Sequence, residues 1–296
     1  MHVLQERTGP AELAAAIVHA ARAGARGLVL HADEAAGTAA RLARCLDPGF
    51  EITVREVRGS TSAPATPDPL PVVLPGADDA GPLVSELESM GLEVVLEQGE
   101  WRGELAGLEV ARIVRWPSET GGDDLLHIEA GVGRFDRDAT ALMHGVEDPE
   151  TALRRAMDAV SARRHPGVAT NPVSVLARSR WMRSAAVTDP GALGLVDLQP
   201  VETTFPPASV REERPAAALG HRGDGESVLV VFGAGTGFEL VPVAVDTREL
   251  QAPGRTVVLV VPPRDHMASL DELVAAGSAA GRGVVELIEV DPPWAT

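Results

Sequence analysis

The chain has 296 residues, 45% of them hydrophobic, and a formal charge of -17, which gives enough apolar material for one large core or two smaller ones and excludes a disordered chain. All 26 basic residues are arginine, so a Schiff-base lysine, a lysine general base and a phosphate-loop lysine are excluded. The acidic balance opposes unspecific contact with DNA, RNA or anionic membrane, and no apolar run reaches about eighteen residues or forms a leader, so the expectation is a cytoplasmic protein with no membrane partner.

Leu13, Ala16, Ile17 and Ala20 stand at helical spacing in residues 10–23; Gly24 ends that helix, and 27–31 reads as a short buried strand. A helix over 34–46 and an alternating strand over 50–57 complete a βαβ unit. Cys45 falls in that second helix, where it reads as a small buried hydrophobe. Six prolines between 58 and 82 forbid helix and leave a loop with one short strand near 71–74. Leu83, Leu87 and Met90 restore the helical period, and strands are expected at 92–96, 100–105, 108–115 and 125–130. Asp148-Pro149 and Asn171-Pro172 are helix starts, the second helix running to about Val187. Residues 189–225 are proline-rich and irregular; strands follow at 226–232, 238–245 and 256–261, then a helix at 268–277 and a strand at 283–290. The fold class is therefore α/β, a mixed sheet with flanking helices: an N-terminal domain over 1–165, a helical and proline-rich bridge over 166–225, and a C-terminal α/β unit over 226–296.

Several residues invite a functional reading. Gly233, Gly235 and Gly237 follow a strand but precede a second expected strand, so they read as a hairpin turn rather than a phosphate loop. His31, Asp33 and Glu34 end the strand at 27–31; an HxD pair there suits a divalent cation, and the simpler role for Asp33 is to cap the next helix. Asp265-His266 occupies a similar place after the strand at 256–261. Glu109 is in phase with Ala111 and Ile113 on one strand, and His127 and Glu129 share a face of another, so two carboxylates on neighbouring strands are candidates to hold Mg²⁺ for phosphoryl chemistry.

The order helix, strand, hairpin, strand, helix over about 80–165 resembles the PD-(D/E)XK nuclease superfamily. That resemblance implies Glu109 and Glu129 as the two acids of the site. Gly131 stands where the family has its lysine, and Arg134 is the one nearby cation in sequence, with a pKa too high for base chemistry.

Residues 154–183 carry seven arginines against Asp158 alone, a local charge of +6. Within them Arg180 and Arg183 share one helical flank and Arg178 and Trp181 another, a cation and aromatic set suited to an anion or nucleic acid. With Arg134 they form the candidate anion-binding residues. No complete catalytic set can be assembled from these types. The expected function is a non-catalytic binding or assembly protein, acting on a protein partner or on itself, with no cofactor. A metal-dependent nuclease, which alone calls for Mg²⁺, and a nucleic-acid adaptor using residues 154–183 are the alternatives.

Overall fold

The computed structural model describes residues 1–116, 125–132 and 149–295. Its first strand, β1 (His2–Arg7), is one the periodicity does not announce. Val3 lies opposite Leu30 on the parallel strand β2 (Gly27–Glu34), and the terminal amine donates to the Gly27 carbonyl at 2.7 Å. Beyond β2 come β3 (Glu51–Arg58), parallel, and β4 (Thr61–Pro64), antiparallel across a tight turn. The crossover helices α1 (Pro10–Arg22) and α2 (Ala36–Ala43) cover the face that carries Leu28, Leu30 and Val54. Asp33 does not cap α2; it is still in β2, and the capping position is Ala35 in a left-handed conformation.

A second sheet is an antiparallel meander of β5 (Glu93–Glu97), β6 (Glu100–Leu105), β7 (Leu108–Trp116) and β8 (Leu125–Ala130). Leu87 of α3 (Gly81–Ser89) and Leu153 and Val160 of α4 (Pro149–Ser161) join Leu108, Val110 and Ile113 in one apolar cluster on its inner face. The third sheet contains β9 (Leu195–Val201), β10 (Ala216–Arg222), β11 (Ser227–Phe232), β12 (Thr256–Val261) and β13 (Val285–Glu289) in the order β13-β12-β11-β10-β9. Its last three strands are parallel and joined by α6 (Leu240–Gln251) and α7 (Ala268–Ala279).

One core unites the first and third sheets. Leu13 and Ile17 of α1, Leu42 of α2, Val241 and Val245 of α6 and Leu273 of α7 belong to a single buried cluster with strand residues of both sheets. On the far face of the third sheet lies α5 (Arg178–Thr188), whose Met182 and Ala186 meet Val228, Val230 and Phe232.

The architecture is α/β, as composition and element order imply, and several elements differ from expectation. Residues 71–74 form no strand. The stretch read as strand at 238–245 is the first half of α6: its β-branched residues are buried on nearly every side, and tertiary packing overrides strand propensity. Pro242 is tolerated because it sits in the first turn, where backbone N–H groups have no intrahelical partner. Finally, the proline-rich stretch after 189 supplies β9 and β10, and Asn171 caps only a single turn, its Oδ1 accepting from the Val173 and Ser174 amides at 3.0 Å, while α5 starts at Arg178.

Candidate functional site

The outer face of the second sheet is charged where its inner face is apolar. Strand alternation puts Glu93 and Glu97 of β5 and Glu100, Arg102 and Glu104 of β6 on this outer face. On β7 the register shifts: Gly103 pairs with Ala111 but Glu104 pairs with Glu109, leaving Val110 without a partner. This bulge moves Glu109 off the face of Ala111 and Ile113 and onto that of Arg112. The expected phase of Glu109 is thus corrected by one extra residue that periodicity does not register. Arg112 lies across from Glu129 on β8, so Glu109 and Glu129 share a sheet face.

Helix α5 lies over this charged face and closes it with arginine. Arg180 donates to Glu104 at 2.5 Å and to Glu97 at 2.6 Å, and Arg183 donates to Glu104 at 2.5 Å and to Glu93 at 3.3 Å. Arg102 reaches Glu97, Glu100 and Glu109, and Arg112 bridges Glu109 at 3.1 Å and Glu100 at 2.8 Å. Glu97, Arg102, Glu104, Glu109, Arg180 and Arg183 are buried, and buried charges persist only when paired. Burial opposes ionisation of Glu104, yet Arg183 and Arg180 outweigh it and hold that carboxyl below the usual range. Burial likewise opposes the charge of Arg180, and Glu104 and Glu97 outweigh it, so its pKa is raised. For Glu93 burial wins over Arg183 and the carboxyl is raised.

Above the network is a cleft of about 570 Å³, floored by Glu100, Arg102, Glu109, Arg112 and Arg180 and walled by the loop 207–212 between β9 and β10. Gly107 makes the close approach of the β6–β7 turn to α5 possible. Its φ is +72°, and a Cβ there would stand 2.2 Å from the Arg180 carbonyl carbon.

The sequence-derived candidates divide accordingly. Glu109, Arg180 and Arg183 come together in the network, and Glu109 and Arg180 line the cleft. Glu129 stands outside the cleft lining, accepting from the Trp116 indole at 3.1 Å. Trp181 is buried, with the Arg164 guanidinium 4.5 Å from its ring centre, and Arg178 lies 4.9 Å from the ring centre of Trp294. Arg134 lies outside the described residues. Among the described residues no group of three or more His, Cys, Asp or Glu is arranged to hold a metal ion.

Arg164 has a structural role that its place in the basic run conceals. Only 3% exposed, it donates to the carbonyls of Ala106, Val173, Leu176 and Ala177, and burial pushes its pKa down to about 10.

The glycine loop 233–237 does open a helix, contrary to the hairpin expected, and the chain fills its amide positions itself. Ser179 Oγ accepts from Ala234 N at 3.0 Å and Asp265 from Gly235 N at 2.7 Å. His31 and Asp265-His266 are engaged by separate partners: His31 contacts His2 at 3.1 Å, Asp265 accepts from Gly235 N, and His266 binds Glu289 and Asp271. Cys45 is buried, and burial first, then Asp246 and Glu249, push its thiol up to about 11. Among the described residues no helix is long and apolar enough to cross a membrane. Comparison with protein-family models, with curated proteins and with solved structures gave no match.

Proposed function

We propose that this chain is a non-catalytic binding or assembly protein whose main recognition surface is the charged cleft over the second sheet. One observation carries this reading: Glu109, the first acid a hydrolytic centre would need, is already neutralised by arginines of the same chain. Both oxygens of Glu109 face the guanidinium of Arg112 at 3.2 and 3.3 Å, and Arg102 stands 3.6 Å away. A carboxylate so held makes a poor general base and a poor ligand for a hard cation, which must displace two guanidinium groups to bind. The floor of the cleft shows both signs of charge, which suits a polar partner surface carrying both.

A second reading, the metal-dependent phosphodiesterase, draws on the register that puts Glu109 and Glu129 on one face. It needs Arg112 to leave Glu109. The two readings separate in one assay: incubation with single- and double-stranded nucleic acid and Mg²⁺ or Mn²⁺, beside Glu129→Ala. The binding reading expects no hydrolysis by either protein, and turnover lost in Glu129→Ala overturns it. The adaptor reading is disfavoured because Arg180 and Arg183 are only 8% and 2% exposed.

A further inference from the structure

A second pocket opens at the carboxyl ends of the parallel strands in the third sheet, the edge at which open α/β sheets place ligands. Its volume is about 220 Å³, below the roughly 300–1,000 Å³ that encloses drug-sized molecules. Phe232 at the end of β11, Val260 near the end of β12 and Val290 just beyond β13 form one wall. Met182 and Ala186 of α5 form the other, and small side chains on that helix leave the space open. This lining is almost wholly apolar.

Two carboxylates break that character, Asp189 after α5 and Asp291 after β13. Both are exposed, and neither takes part in an ion pair among the described residues. They differ in this from the acids of the charged cleft, each of which has its arginine. A small apolar hollow with unpaired acids beside it, in a chain of formal charge -17, complements one ligand class above others. We infer that this pocket binds a small organic cation, an alkyl- or arylammonium whose hydrocarbon body enters between α5 and the strand ends while its charge faces Asp189 and Asp291. The apolar walls supply burial of the hydrocarbon, the flexible Met182 side chain adapts to its shape, and the acids disfavour anions by repulsion. This inference is independent of the charged cleft, which shares no lining residue with the pocket.

Three probes of similar length but different charge test it by titration calorimetry on the full chain at low ionic strength: hexylammonium, hexanol and hexanoate. Expected is saturable binding of hexylammonium, with hexanol weaker by roughly three- to fivefold, the scale of an exposed charge contact, and hexanoate weaker still. Asp189→Asn with Asp291→Asn, both at exposed positions, should bring hexylammonium to the affinity of hexanol. Ala192→Trp, at a lining position on the surface, should abolish binding of all three. Equal affinity for hexylammonium and hexanol in the unaltered protein, no saturable binding at all, or binding untouched by Ala192→Trp each overturns the proposal. The comparison of probes needs no variant, so it holds even if a substitution unfolds the protein.

Discussion

Replacing Glu104 by glutamine removes one negative charge from the centre of the network without changing its shape. The side chain is 0% exposed, and its two oxygens each receive a guanidinium at 2.5 Å, from Arg180 and from Arg183. The neutral amide leaves Arg183 with only Glu93, at 3.3 Å, and breaking one side of a buried ion pair costs about 3–5 kcal/mol. Against a typical total of about 5–15 kcal/mol, that is a large share. At an m-value of about 3 kcal/mol/M the urea midpoint falls by roughly 1–2 M. The pH dependence has a definite sign. Glu104 has a lowered folded pKa, so its stabilisation is present above the ordinary carboxylate range and is lost as pH falls through the folded value. Glu93 is raised; folding tightens its proton, so it opposes part of that loss. Urea titrations of wild type and Glu104→Gln from pH 7 downward should show the two midpoints converging in acid. A loss under about 1 kcal/mol at pH 7, or a gap that stays constant into acid, refutes the claim that Glu104 is held ionised by two buried arginines.

Gly107→Ala should lose about 1–3 kcal/mol or more, because its Cβ meets backbone of α5 rather than a side chain that can rotate away; chemical denaturation measures it. Arg164→Met keeps the hydrocarbon but frees four carbonyls, and a loss of about 2–4 kcal/mol in the same assay is expected. Cys45, with its thiol raised to about 11, should resist a thiol reagent at pH 8 in the native protein and react at once in denaturant. The imidazole of His266, raised first by Glu289 and then by Asp271, should titrate above the usual value of about 6.5 in NMR spectra, and lower in Asp271→Asn. Its contribution to stability is complete below the unfolded pKa and fades as pH rises through the folded one.

The α/β class and most elements were legible because periodicity links an apolar face to burial, and an apolar face opposite a polar one is what α1, β3 and β7 have in common. The misreadings arise where that link fails. In α6 both sides are buried, so no apolar stripe stands out and the valines argue for strand. β1 alternates as a strand should, yet its outward Leu4 is 75% exposed, which blurs the alternation. In β9, the edge strand, Pro200 withholds a donor where it does least harm, and in β10 Gly220 stands next to His221 at a bulge.

The site was half legible for a different reason. Sequence shows that Arg180 and Arg183 share a flank, and that flank does meet anions, but the anions are Glu97 and Glu104, some 80 residues earlier in the chain. Local charge counts cannot tell a basic patch seeking a partner from one already matched by distant acids. The same self-matching recurs at two positions where backbone amides would suit a phosphate. Glu213 accepts from the first amides of α5 at 2.7 and 2.8 Å, and Asp265 accepts from the glycine loop. A chain with 43 acids and 26 arginines has more anions than cations to match them, so even full pairing of the arginines would leave carboxylates over. The unpaired acids beside the apolar pocket are where that surplus meets a cavity, and it is a cation, not an anion, that such a surface is built to receive.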